Sequence, residues 1–259
     1  MCRLGADAEP TEALTVTDPV PVEASGVVPT ADGGAWTIDD SGNPAVLHRI
    51  RPDGTVHEVR VAGVDNVDWE ELIAGEEPGV AWIADTGGNI GRRDEVLLHR
   101  VELPADDAVT EVEPRTVRVR YADDHHDVEA GYAADGSVFL VTKEAGEASI
   151  LEVPVGRGDD LVAEWVGSFT PPGALKLVTG AALAPDGSAV LVRTYLGAWA
   201  YEVPAGRTVA DALAEGEPCR IPVGTEAQGE AIGVLPDGRG WVTIGEGRHP
   251  TLATFRPDP

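Results

Sequence analysis

Short apolar runs broken by Asp-Gly turns recur along the whole chain, and they set the first picture. One of them reads Asp127-Val128-Glu129-Ala130-Gly131-Tyr132, then Asp135-Gly136, then Val138-Phe139-Leu140-Val141-Thr142-Lys143-Glu144. It predicts a strand that begins on acid, a tight turn, and a second strand that ends on charge. The same phrase starts near Ser25, Glu70, Gly180 and Glu230, so the steps between starts are 45, 59, 51 and 50 residues. Turns fall at Asp32-Gly33, Pro78-Gly79, Pro185-Asp186-Gly187 and Pro236-Asp237-Gly238.

Each unit continues with a third β-rich run: 46–50, 96–100, 150–153, 199–203 and 251–255. Four units add another, at 56–61, 116–121, 161–166 and 218–223, and only Thr208 to Glu215 reads as helix. Four strands per ~50 residues, repeated, marks a β-propeller. The fifth unit runs out after three strands, and Leu14-Thr15-Val16-Thr17 supplies its fourth. The expected fold is therefore all-β, a five-bladed β-propeller whose last blade is closed by the N-terminal strand. Residues 1–259 form one domain, with 1–11 as an N-terminal extension and blades starting near 25, 70, 129, 180 and 230. Six blades and a β-sandwich are the alternatives.

Charge changes the functional picture. Forty-five acidic residues face 19 Lys and Arg, only two of them lysines, for a net charge of −26. Such a field repels nucleic acid and anionic membranes and attracts cations. No apolar run is long enough to span a bilayer. No signal-peptide core precedes the repeats, so the leader is absent from the chain as given. The expected setting is extracellular or the cell envelope, as a monomer. Cys2 and Cys219 leave three alternatives: one disulfide, a lipoprotein bearing its lipid on Cys2, or two unrelated thiols.

Antiparallel pairing puts the start of each first strand and the end of each second strand on one rim. Ser25, Glu70, Glu129, Gly180 and Glu230 are then equivalent positions around an axis. Converging glutamates need compensation, and oxygen-rich, cysteine-free ligation suits a hard cation. Glu70, Glu129, Glu230 and Ser25 are the expected ligands of an axial Ca2+. The alternative is that the glutamates bind backbone or pair with Lys143, Arg193 or Arg248. The rim also offers Asp39, Asp85, Lys143, Arg193, Tyr195 and Arg248 to a small-molecule or glycan-like ligand. Catalytic candidates are Glu129, Asp39, Glu246 and His126, serving a Ca2+-dependent hydrolase of phosphoester or glycosidic bonds as the alternative function. Asp85-Thr86-Gly87-Gly88-Asn89 is similar to part of a calcium loop and equally to a plain turn. No Gly-x-Ser-x-Gly and no phosphate-binding loop is present.

Two resemblances follow. The fragments Ser25-Gly26-Val27-Val28, Asp39-Asp40, Trp69-Glu70, Glu129-Ala130 and Gly229-Glu230-Ala231-Ile232 resemble the inner strands of the calcium-dependent apyrases. That resemblance implies a five-bladed ring holding Ca2+ through one Ser or Glu per blade. Gly180 departs from the pattern, which has a hydroxyl there; Thr179 or the Gly180 carbonyl is the expected substitute. A broader set resembles uncharacterised exported β-propeller proteins of actinobacteria: Trp69-Glu70-Glu71-Leu72, Ala84-Asp85-Thr86-Gly87-Gly88-Asn89, His126-Asp127-Val128-Glu129-Ala130, Val141-Thr142-Lys143-Glu144, Val178-Thr179-Gly180-Ala181, Arg193-Thr194-Tyr195 and Gln228-Gly229-Glu230-Ala231. It implies fold and export, and no activity.

Overall fold

The computed structural model describes residues 1–17, 21–88, 93–123, 125–226 and 228–257. Among them the protein is all-β except for one short helix. After β1 (Glu12–Thr15), the first unit is β2 (Ala24–Pro29), β3 (Ala35–Asp39), β4 (Val46–Ile50) and β5 (Val56–Val61). The second is β6 (Trp69–Ala74), β7 (Val80–Asp85) and β8 (Val96–Glu102), then the two-residue β9 (Glu111–Val112), then β10 (Arg115–Tyr121). The third is β11 (Val128–Ala134), β12 (Ser137–Thr142), β13 (Ala148–Val153) and β14 (Asp160–Phe169). The fourth is β15 (Val178–Leu183), β16 (Ala189–Thr194), β17 (Gly197–Glu202), α1 (Val209–Glu215) and β18 (Cys219–Ile221). Last come β19 (Gly229–Val234), β20 (Trp241–Gly245) and β21 (Thr251–Phe255).

Within each unit the strands pair antiparallel in chain order. The hairpins follow from turn chemistry. Asp135 (φ 51°) and Gly136 (φ 75°) both sit in the left-handed region, so β11 and β12 join through the two-residue turn that suits twisted strands. The last unit is completed from the front of the chain: β1 pairs with β21, Glu12 opposite Thr254 through Thr15 opposite Thr251. This pairing covers the edge of β21.

The described strands make four sheets. The second and third units share one eight-stranded sheet, because the outer strands β10 and β14 pair in parallel from Arg118–Asp160 to Tyr121–Ala163. Both Arg118 nitrogens bond the Asp160 carboxylate, at 2.6 and 2.7 Å, which fixes that register. β9 adds in parallel to β5. Neither pairing is written in the strand periodicity, and the insertion carrying β9 accounts for the long second unit.

The first strands gather at the centre. β2 packs on β6, β6 on β11, β11 on β15, β15 on β19, and β19 returns to β2. Their approach is close: a Cβ on Gly26 would sit 2.0 Å from the Leu72 nitrogen, and one on Gly233 2.5 Å from the Val27 carbonyl oxygen. Apolar clusters fill the spaces between units, as where Ile73, Trp82 and Leu98 meet Val128, Leu140 and Leu151. Central strands buried on both faces read as continuous apolar runs; every residue of β7 is buried.

At the front, Cys2 is bridged to Cys219. Met1 and Leu4 pack beside Ile221 and Trp241. The cysteine alternatives resolve to a disulfide, and the Cys2 sulfur is thereby committed. The helix forms where the sequence places it, with Thr208 and Asp211 as a reciprocal capping box. No helix among the described residues is long and apolar enough to cross a membrane.

Candidate functional site

All five first strands carry a register shift at the same level: between Ser25 and Val27, Trp69 and Glu71, Val128 and Ala130, Val178 and Gly180, and Gly229 and Ala231. A bulge adds one residue and turns its side chain out of the ladder. It sets Glu70, Glu129, Thr179 and Glu230 out as the extra residues of their strands, whereas in the first unit the extra residue is Gly26 and Ser25, one place earlier, still pairs with Ile38. The expectation that Gly180 is the fourth member is corrected to Thr179, one residue earlier. The two hydroxyls tie neighbouring strands: Ser25 Oγ donates to the Glu70 carbonyl, and Thr179 Oγ1 to that of Gly229 at 2.9 Å.

Carboxylates converge on this end of the centre. Oxygens of Asp40, Asp68 and Glu70 lie within 4.8 Å of one another, and so do those of Glu70, Asp127 and Glu129. Glu70 belongs to both groups. The Thr86-Gly87-Gly88 turn folds over them. Gly88 donates its N–H to Asp127 at 3.0 Å, and Thr86 donates to the Val128 carbonyl at 2.9 Å. A Cβ on Gly87 would lie 2.0 Å from Glu70 Oε1 and 2.6 Å from Asp68 Oδ2. The absent side chain is therefore what lets the turn seat on the acids. Asn89, the next residue of this motif, lies outside the described residues.

The electrostatics follow from burial. Desolvation, then the Glu129, Asp40 and Asp68 charges, drive the Glu70 carboxyl far above the usual carboxylate range. Burial raises Glu129 as well, against the pull of Lys143. Burial pushes Glu230 up to about 7, although Gln228 donates to it at 2.6 Å. Lys143 lies among these acids, ion-paired to Glu129 and 5.1 Å from the centre of the Tyr195 ring. Burial alone would lower its ammonium; Glu129 and Tyr195 hold it above its ordinary value.

Of the predicted ligands, the structure brings Glu70 and Glu129 together and adds Asp40, Asp68 and Asp127. Glu230 lies beside these groups without joining either, bonded to Gln228, which also bonds Glu246. The other rim residues separate into two kinds. Lys143 and Tyr195 face the acids. Asp39 is buried against His48 at 2.9 Å, and Asp85 is buried against Arg93 at 2.7 Å. Arg193 is 1% exposed and paired with Glu226. These three are tied up in the fold, because their positions on β3, β7 and β16 are buried between sheets. Arg248 is exposed on the loop after β20 and forms no ion pair among the described residues. His126 bonds Glu144 at 2.8 Å and Asp123 at 3.0 Å through its two nitrogens. Burial opposes its charged form, but these two acids hold its pKa above the ordinary histidine value. Both nitrogens are thus engaged by carboxylates.

One central residue is absent from the sequence reading. Glu71 is 1% exposed, and its carboxylate accepts N–H groups of Leu72 and Ala181, each at 3.1 Å. Burial lifts this carboxyl well above its usual range despite those donors. The other units have Gly26, Ala130, Gly180 and Ala231 at this position, so a lone glutamate among four small residues is the signal that finds it.

No protein-family model matches the chain, and no curated protein matches it. Solved structures do. The chain is similar to glutaminyl cyclase from Myxococcus xanthus, at 13% identity and TM-score 0.56, over 95% of this chain and 94% of that one. It is also similar to the PQQ-bound aldose sugar dehydrogenase from Streptomyces coelicolor, at 10% identity and TM-score 0.54, over 96% and 99% of the two chains. Both are β-propeller proteins, and at such identities the likeness shows the fold alone: this chain has a β-propeller-type architecture.

Proposed function

We propose that the protein is an exported, calcium-binding β-propeller that takes a small-molecule or glycan-like ligand at its acidic rim. The observation that carries the reading is Glu70, whose carboxylate is shared by two groups of three acids beneath a glycine turn. All donors are oxygen, which suits Ca2+ and its six to eight ligands. Asp68, Asp127 and Glu129 hold the ion with Glu70, and Asp40 approaches from the other side. The sequence-level ligand set of Ser25, Glu70, Glu129 and Glu230 shifts accordingly toward the second and third units. Thr179 supplies the hydroxyl that the apyrase-like pattern has at the fourth position.

Five units whose first strands close on themselves support a count of five blades within one domain. The disulfide supports an oxidising, extracellular setting. Lys143 and Tyr195, on adjacent units, give the rim the asymmetry a specific ligand needs. The alternative, a Ca2+-dependent hydrolase, draws on Glu230, whose carboxyl holds its proton near neutrality beside the cluster.

Calorimetric titration of Ca2+ into chelator-stripped protein tests the reading, with Glu70→Gln alongside. Saturable binding with Kd up to about 1 mM, the range of extracellular modules, is expected in the native chain and lost in the variant. No heat and no rise in melting temperature with Ca2+ would sink it. A panel of aryl phosphoesters and aryl glycosides, with and without Ca2+, separates the hydrolase from the binding protein.

A further inference from the structure

The far ends of the same first strands open into a second concavity. It measures about 1600 Å³ and is lined by the β2–β3, β6–β7, β11–β12 and β15–β16 turns. That exceeds the usual volume of a small-molecule site, about 300–1,000 Å³. Its central wall is apolar, with Val28, Ile73, Leu183 and Val234. Glu71 is buried between this funnel and the acidic rim.

One side of the funnel is built differently. Tyr132, Phe139 and Glu152 lie directly opposite one another on β11, β12 and β13, so their side chains share a face. The two rings stack, centroids 4.9 Å apart and planes 7° apart. Ser137 donates to Glu152 at 2.8 Å. Glu76 reaches the same place, accepting the Gly136 N–H at 2.9 Å, and Asp135 flanks it in the turn. None of Glu76, Asp135 and Glu152 forms an ion pair among the described residues. The arginines of the lining are already paired: Arg49 with Asp32 and Arg51 with Asp107, both of the lining, at 2.6 and 2.7 Å, and Arg207 with Glu215.

The stack also leaves one enclosed polar group unsatisfied. Tyr132 is 1% exposed and lines the funnel, and its hydroxyl has no hydrogen-bond partner among the described residues. A buried hydroxyl left unpaired is costly, and such groups are uncommon.

We infer that this funnel binds an organic cation, an ammonium group carried on an apolar body. The ammonium lies against Phe139 and between Glu152, Glu76 and Asp135, where the ring quadrupole and the carboxylates attract it together. The apolar body lies on Ile73, Leu183 and Val234. A neutral ligand of the same shape gains only the second contact, and an anion meets uncompensated acids. The site is independent of the Ca2+ reading, since it shares no residue with it.

The test is calorimetric titration at low salt with benzyltrimethylammonium, benzyl alcohol and benzoate. The ammonium is expected to bind saturably, at least about tenfold tighter than the alcohol, with no binding of benzoate. Glu152→Gln and Glu76→Gln each weaken it severalfold while leaving the melting curve near that of the native chain. Phe139→Leu does the same through loss of the ring. Glu70→Gln leaves the ammonium titration unchanged, so failure of the Ca2+ site and failure of this one are read separately. Equal affinity for the alcohol, unchanged binding in both carboxamide variants, or no saturable binding of the ammonium each overturns the inference.

Discussion

Replacing Cys2 and Cys219 by serine removes a cross-link between residues 217 apart in sequence. In the chain-entropy description, such a bridge stabilises by restricting the unfolded chain, with a loss of about 2.1 + 1.5R ln n cal/mol/K for a loop of n residues. For this loop the figure is about 5 kcal/mol at 25 °C, close to the largest effect known for one disulfide. Met1 and Leu4, on either side of Cys2, pack on the cluster that holds Ile221 and Trp241. Guanidinium unfolding of the oxidised protein and the double variant, followed by tryptophan fluorescence and circular dichroism, measures the difference. The expected loss is about 5 kcal/mol, or roughly 10–20 °C in melting temperature for a chain of this size. Cys2→Ser alone is expected to cost as much as the double variant. A loss below about 1 kcal/mol would refute the entropic argument and leave ring closure to the β1–β21 pairing.

Three further outcomes follow from the central acids and the buried pair. Glu71→Gln keeps the shape but only one of the two acceptor oxygens, leaving Leu72 or Ala181 without its partner, and is expected to cost about 1–3 kcal/mol; Glu71→Ala opens a void and strands both N–H groups, costing about 2–4 kcal/mol or more in urea unfolding. Glu70, Glu71, Glu129 and Glu230 all have folded-state pKa values raised above the unfolded carboxyl, so their contribution is complete below pH ~4.5 and is lost as pH rises through the folded values, about 7 for Glu230. In chelator, stability is therefore expected to fall between pH 4.5 and 8, and saturating Ca2+ is expected to flatten that slope; a metal-free curve rising over this window contradicts the electrostatics. Arg193→Met leaves Glu226 buried without its partner and is expected to cost about 3–5 kcal/mol, most of it recovered in Arg193→Met with Glu226→Leu. Equal stability of the single and double variants would show that the pair carries no such penalty.

Much of the architecture was legible because its signals are local. Asp-Gly turns, β-rich runs and the Thr208 cap each act within a few residues, and the third strands at Val46–Ile50 and Thr251–Phe255 fall where the pattern puts them. The parallel seam between β10 and β14 was not legible, since edge pairing depends on where two distant outer strands meet. The site was half legible. Glu70 and Glu129 stood out, whereas Asp127 read only as the acid on which a strand begins and Asp68 carried no signal of its own. The bulge decides between Gly180 and Thr179, both offered by the sequence: the extra residue is Thr179. Asp39, Asp85 and Arg193 misled for a related reason, since a charge at a strand end reads as exposed unless its buried partner is known.

The pairing of β1 with β21 also fixes an order of events. Leu14 meets Leu252, so the two strands of this pair are made with all the other units between them. Four units can form hairpin by hairpin as the chain lengthens, but Glu12–Thr15 must wait until Thr251–Phe255 is made. Until then β21 has an open edge and β1 has nothing to pair with, a combination that invites exchange between two nascent chains. Closure is thus the late step. A truncation that removes only Thr251–Phe255 should leave hairpins that form and a ring that does not close.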